Sequence, residues 1–279
     1  MHALKSSKKF EFGFRTDSGA VREFNEDTCL AEPDLGLWLV ADGMGGHRTG
    51  DIASQVARET IIERVRTGTD LSEAIAAAHR EILKTAEEKE GSEGMGSTVV
   101  TALVKGIDYE VAWVGDSRAY LYDGELTQIT RDHSVVQDLV RSGAISVSEA
   151  TNHPSRHLLT RCLGVSRDDT FEVGLRRGRF VRGQEVLLCS DGLTDELTDE
   201  EITDILASGA SSQERVDRLV DAAIEHGGRD NVTVVLFSAP ADAPTASGWA
   251  KKIGLLALGA ILAVALLGLL YFIKQQGAI

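Results

Sequence analysis

Four aspartates stand at the ends of strongly apolar runs. Asp42 follows Leu37-Trp38-Leu39-Val40-Ala41 and Asp116 follows Val111-Ala112-Trp113-Val114-Gly115. Asp191 follows Val186-Leu187-Leu188-Cys189-Ser190, and Asp230 stands just before Val232-Thr233-Val234-Val235. Gly43 and Gly192 come directly after two of these acids. A strand end holds a carboxylate rigidly, and an adjacent glycine lets the backbone come close to a ligand. Any one Asp-Gly pair reads equally well as a turn. Taken together, and with Asn25-Glu26-Asp27, the acids read as a cluster, which repels itself unless a cation compensates it. Donors that are all oxygen favour hard ions such as Mg²⁺ or Mn²⁺, and no Cys/His set stands at a zinc spacing.

The elements that must position these acids alternate between strand and helix periodicity. Apolar runs predict strands at 37–41, 98–104, 110–114, 118–122, 126–130, 185–190 and 232–237, with Asp123-Gly124 as a two-residue hairpin turn. Helices are expected at 51–65 and 70–88, the second opened by Asp70 with Glu73 three residues on. The pairs Ser146/Glu149, Thr198/Glu201 and Ser211/Glu214 repeat that capping-box spacing, and Val216, Leu219, Val220, Ala223 and Ile224 form one apolar helical face. Adjacent hairpins with helices grouped elsewhere predict an α+β sandwich and not an alternating βαβ fold.

The chain has 279 residues and a formal charge of −14. No acid follows Asp242, whereas Lys251, Lys252 and Lys274 do, so the part before the tail is more acidic still. Such a surface repels nucleic acid. It does not exclude a phosphate ester, because bound divalent cations reverse the local field. Cys29, Cys162 and Cys189 show no CxxC spacing and read as reduced thiols. Residues 239–252, rich in small residues and proline, read as a linker. Residues 253–273 then run 21 positions without a charged side chain, enough for a helix of about 31 Å, the thickness of a bilayer core. Trp249 and Tyr271 suit its two interfaces, and the lysines before it favour a cytoplasmic domain on a single-pass C-terminal anchor, with residues 274–279 as a short tail.

The motifs Val21-Arg22, Asn25-Glu26-Asp27, Ala41-Asp42-Gly43-Met44-Gly45-Gly46, Gly94-Met95-Gly96-Ser97-Thr98, Gly115-Asp116-Ser117-Arg118, Asp132-His133-Ser134, Leu159-Thr160-Arg161-Cys162-Leu163-Gly164, Ser190-Asp191-Gly192 and Asp230-Asn231-Val232-Thr233 occur in one order. That ordered set resembles the bacterial members of the PPM/PP2C family of metal-dependent serine/threonine protein phosphatases, across a domain of residues 8–238. The resemblance implies a four-layer αββα sandwich of two antiparallel sheets flanked by helices. It implies that Asp42, Asp191 and Asp230 hold one Mn²⁺ or Mg²⁺. Asp42, the Gly43 carbonyl and the Glu26/Asp27 pair would hold a second, and Asp116 with Asp191 a weaker third. Arg22 would grip the substrate phosphate, a task suited to a planar bidentate donor. The implied reaction is in-line attack on phosphoserine or phosphothreonine by a water bridging two metals, the implied partners phosphorylated proteins and the kinase that makes them. A silent phospho-sensing module and a hydrolase of small phosphate esters are the alternatives.

Three features depart from the family pattern or need separate reading. Met44 stands where eukaryotic relatives carry a histidine assigned as general acid, which leaves His47 and metal-bound water as candidate proton donors. His153 and His157 have an i,i+4 spacing, but Pro154 follows the first and no glutamate adjoins it, so a zinc helix is not expected. Residues 134–157 read as a flap beside the cleft, with His157 on it, and Arg48, Arg131 and Arg161 as solvated or ion-paired residues.

Overall fold

The computed structural model describes residues 10–45, 49–89, 92, 94–165 and 172–245. Two antiparallel sheets are packed face to face. The first is built from β1 (Phe12–Asp17), β11 (Val232–Ser238), β10 (Glu185–Cys189), β7 (Arg118–Tyr122) and β8 (Leu126–Gln128), in that spatial order. The second runs β2 (Asp27–Glu32), β3 (Leu37–Met44), β5 (Val99–Lys105), β6 (Asp108–Val114) and β9 (Gly174–Arg179), with short β4 (Gly96–Ser97) against β3. Helices α1 (Gly50–Arg66) and α2 (Leu71–Glu88) cover the second sheet. Helices α5 (Asp191–Thr194), α6 (Asp199–Leu206) and α7 (Ser212–Glu225) cover the first, and α3 (Val135–Ser142) and α4 (Val147–Thr151) form the flap.

The interior strands are apolar on both faces because each face meets another layer. In β3, Leu37, Leu39 and Ala41 pack toward α1 and α2, while Trp38 and Val40 enter the space between the sheets. There Trp38 stacks on Phe237 at a centroid distance of 4.5 Å. In β11, Val232, Val234 and Leu236 face α7, and Val235 and Phe237 face the other sheet. Period-two alternation therefore sorts side chains between two cores instead of between core and water.

Helix starts follow local chemistry. Asp70 Oδ1 accepts the Glu73 N–H at 3.0 Å. Ser146, Thr198 and Ser211 each form a full capping box with Glu149, Glu201 and Glu214. Two local expectations are corrected. The strand expected to reach residue 130 ends at Gln128, because the Ile129 and Thr130 amides both turn to the Ala119 carbonyl. The hairpin register Tyr122↔Leu126 makes the loop three residues long, with Gly124 at φ +104°.

Residues 239–244 do not leave the domain at once. The Ala239 N–H donates to the Gln184 carbonyl at 2.7 Å, and Ala243 is wholly buried between the sheets. Among the described residues no helix is long and apolar enough to cross a membrane. The apolar run 253–273, His47 and Arg48 lie outside the described residues.

Candidate metal centre

The sandwich brings the strand-end acids together at one end. Antiparallel pairing of β2 with β3 sets Asp27 directly opposite Asp42, and like charges facing across a ladder repel. Asp191 opens α5 with only Ser190 between it and the end of β10, and Asp230 precedes β11, the neighbour of β10. Asp116 follows β6 after Gly115. A cleft of 450 Å³ is lined by Arg22, Glu26, Asp42, Gly43, Asp116, Asp191 and Asp230 among others. Asp27 lies just beneath it, 9% exposed.

The backbone is threaded tightly here. A methyl on Gly43 would collide with the carbonyl oxygens of Gly50 and Glu26, and one on Gly192 with the Asn231 carbonyl. The Gly43 N–H donates to the Glu26 carbonyl at 3.1 Å, and the Gly50 N–H at the start of α1 donates to Glu26 Oε1 at 3.0 Å. Gly43 is thus required by close packing of the Glu26 loop and the start of α1 against the end of β3, and Gly192 by the close approach of the Asn231 carbonyl.

Burial, followed by mutual repulsion, governs the acids. Asp42 and Asp191 are pushed well above the usual carboxylate range, first by desolvation and then by the neighbouring aspartates. Asp27 and Asp116 are each raised to about 6, desolvation again leading. Burial also raises Glu26, partly offset by the Gly50 N–H. Asp27 Oδ2 accepts the Ser190 hydroxyl at 2.8 Å, whereas its Oδ1 is buried with no hydrogen-bond partner. A buried carboxylate oxygen left unpaired among other carboxylates is costly by itself and suited to hard-cation coordination. The donor set therefore fits Mn²⁺ or Mg²⁺. Arg22 stands at the rim, half exposed, with Nη2 2.7 Å from Asp230 Oδ2.

Several supporting residues were not assigned roles from the sequence. Asn231 Oδ1 accepts the Glu26 N–H at 2.8 Å, and its Nδ2 donates to the carbonyls of Phe24 and Ser18 at 2.9 and 3.1 Å. One buried amide thus ties the Glu26–Asp27 segment to the start of β11. Asn231→Ala is expected to lower unfolding free energy by about 2–3 kcal/mol, the cost of stranding buried partners. It should also weaken Mn²⁺ binding by about 10- to 100-fold, as loss of a ligand-orienting residue does. Denaturant unfolding with a Mn²⁺ titration checks both, and unchanged metal affinity would confine Asn231 to a structural role.

His133 Nδ1 accepts the Gly115 N–H at 3.3 Å and so helps place Asp116. Desolvation and then Arg161 lower its pKa to about 4, so it acts as a neutral acceptor. Asp195, which caps the C-terminal end of α5 one turn beyond Asp191, and His157 on the flap offer ligand atoms that lie with one from Asp191 within 4.8 Å of one another. The i,i+4 spacing of Asp191 and Asp195 was the available signal for the first of these. His153 is used elsewhere, its Nδ1 accepting the Ser155 N–H, and Arg161 pairs with Glu172 at 3.0 Å. Met44 lies open at the cleft, in contact with the Cys162 sulfur at 3.3 Å.

A family model described as protein phosphatase 2C matches residues 20–227. The chain is 40% identical over 240 residues to the serine/threonine phosphatase stp of Listeria welshimeri, a match covering 80% of this chain and 93% of that one. Among solved structures, the serine/threonine phosphatase PstP/Ppp of Mycobacterium tuberculosis is similar with a TM-score of 0.77 at 38% identity, covering 82% of this chain and 98% of the other. The catalytic domain of PstP in complex with two manganese ions is similar at a TM-score of 0.73 and 36% identity, with the same coverage.

Proposed function

The chain belongs to the protein phosphatase 2C family, and on that footing we infer that it hydrolyses phosphoserine and phosphothreonine on proteins at a Mn²⁺ or Mg²⁺ centre. The observation that carries the reading is the convergence of Asp42, Asp116, Asp191 and Asp230 on one cleft, with Asp27 paired opposite Asp42 and Arg22 at the rim.

Asp42, Asp191 and Asp230 would hold one ion. Asp42, the Gly43 carbonyl, Glu26 and Asp27 would hold the second. Asp116 and Asp191, joined by Asp195 and His157, offer a third and weaker place. Bound there, the ions supply Lewis acidity toward the phosphate and lower the pKa of water toward neutrality. The chain's own residues do the rest. Arg22 exchanges its contact with Asp230 for the phosphate oxygens and orients the ester. The Ser190 hydroxyl and the Asn231 amide hold Asp27 and Glu26 in place. No nucleophilic side chain is needed, and burial pushes the Cys162 thiol up to about 12, which keeps it protonated.

Phosphate release from phosphothreonine and phosphotyrosine peptides, titrated with Mn²⁺ and then chelator, tests the reading. Mn²⁺-dependent release selective for phosphothreonine supports it. No release from folded, metal-loaded protein points instead to a silent phospho-sensing module, and equal turnover of small esters to a general phosphomonoesterase. In the same assay Arg22→Ala should cost about 10- to 100-fold in kcat/KM, the worth of a charge-assisted hydrogen-bond pair. Arg22→Lys should recover only part, because a point charge lacks the bidentate fork.

The run 253–273 is read as a single-pass anchor that holds the domain at the cytoplasmic face of a membrane. Its length, lack of charge and flanking Trp249 and Tyr271 support this. Confinement there raises the effective concentration of membrane-bound kinases and their substrates.

A further inference from the structure

The end of the sandwich opposite the metal cleft has a charge unlike the rest of the chain. The chain carries 43 acids against 29 lysines and arginines, yet residues 176–182 read Arg-Arg-Gly-Arg-Phe-Val-Arg with no acid among them. Arg176, Arg177, Arg179 and Arg182 are all exposed, and so is Lys105 on the adjoining β5–β6 turn. Arg177 and Arg179 pair with Glu110 and Asp108, while Lys105, Arg176 and Arg182 are in no ion pair among the described residues.

The chain leaves the domain at this same end. The Arg182 N–H donates to the Pro244 carbonyl at 2.9 Å, and the described residues stop at Thr245. Only seven residues separate Thr245 from Ile253, and two of them are Lys251 and Lys252. Fully extended, that stretch reaches at most about 28 Å. The arginine edge is therefore held close to whatever the apolar run enters. The catalytic acids lie at the other end of the strands. β11 runs from Val232 beside Asp230 to Ser238 at the exit, about 20 Å away at the rise of a strand.

We propose that this basic end, formed by Lys105, Arg177, Arg179 and Arg182, docks on an anionic lipid surface and turns the metal cleft away from the bilayer toward protein substrates. The inference rests on the reading of residues 253–273 as a membrane anchor. Charge complementarity and the short tether favour lipid headgroups as the occupant, since the cytoplasmic leaflet attracts clustered arginine and lysine within a Debye length. The alternative use of arginines on an edge strand is to prevent pairing with another chain.

The test uses the full chain reconstituted in bilayer nanodiscs of phosphatidylcholine with or without phosphatidylglycerol, followed by hydrogen exchange. With phosphatidylglycerol, peptides from 104–110 and 174–184 should exchange several-fold more slowly, while a cleft peptide from 37–45 should not change. High salt should remove the protection. So should R177Q/R179Q/R182Q, because each basic residue lost lowers the docked-to-free ratio roughly fivefold. Unchanged Mn²⁺-dependent turnover of a small ester shows that this variant is folded. Resistance to alkaline extraction with equal exchange in both lipids overturns the docking alone and leaves the arginines as edge protection. Protection that persists in the triple variant also overturns it. Extraction by alkali overturns the anchor, and the docking with it.

Discussion

Replacing Asp191 with asparagine is expected to reduce Mn²⁺-dependent turnover about a thousandfold or more while raising the melting temperature of the metal-free protein. The two effects have one origin. Asp191 is desolvated in the cleft and repelled by Asp116, Asp195, Asp230 and Asp27, so its charge is unfavourable in the fold until an ion compensates it. Asparagine keeps the shape and removes the charge. The folded apo protein then loses a repulsive centre, while the proposed metal site loses one of its ligands. Several kcal/mol of Lewis-acid stabilisation corresponds to about three decades in rate. Phosphopeptide kinetics and calorimetry with and without Mn²⁺ measure both halves. Near-normal turnover would remove Asp191 from the metal set. A lower apo melting temperature would show that its role is architectural.

Metal and pH are expected to act on stability in opposite senses. Asp27 and Asp116 are raised to about 6 in the folded protein, above the ordinary value near 4. The folded state therefore binds these protons more tightly than the unfolded chain. Their contribution to stability is present in full below the ordinary carboxylate range and is lost as pH rises through about 6. Metal-free protein should accordingly melt higher near pH 5 than near pH 7.5. Mn²⁺ should reverse the order. At a hundredfold excess over Kd each site adds about 2.7 kcal/mol, or about 5–10 °C for a domain of this size. That gain should fade below about pH 6, where protons compete for the same oxygens. Calorimetry across this pH range, with chelator or with Mn²⁺, checks the pattern. An apo melting temperature flat between pH 5 and 7.5 would mean that the acids are better compensated by the protein than the cleft indicates.

Interior strands were legible because they lie between two hydrophobic layers. The runs in β3, β5, β6, β7, β10 and β11 are apolar on both faces, and so are visible without knowledge of their partners. The strands that escaped the sequence reading are the two-residue β4 beside β3 and the longer β1, β2 and β9, the last three each at a sheet edge among the described residues. An edge strand is half covered, paired on one side and often charged, so its pattern is set by its neighbour and not by a local period. Gly174–Arg179, with three arginines, is a strand only because β6 accepts it.

The acids themselves were legible as strand-end residues, and their chemistry as hard-ion ligation followed from residue type alone. Four things were decided by tertiary structure. Register alone sets Asp27 against Asp42, since a one-residue slip would send them to opposite faces. Asn231 and His133 acquire their supporting roles only because strands distant in sequence end side by side. Asp195 and His157 meet Asp191 only when the flap lies over α5. The exit of the chain beside the arginine edge depends on Ala239 and Ala243 packing into the core between the sheets, which a composition of alanine and proline does not announce. Residue type and local period thus fixed which groups do chemistry and which segments are buried. Pairing and packing between distant segments, which no local pattern encodes, fixed which of those groups stand together and which way the cleft faces.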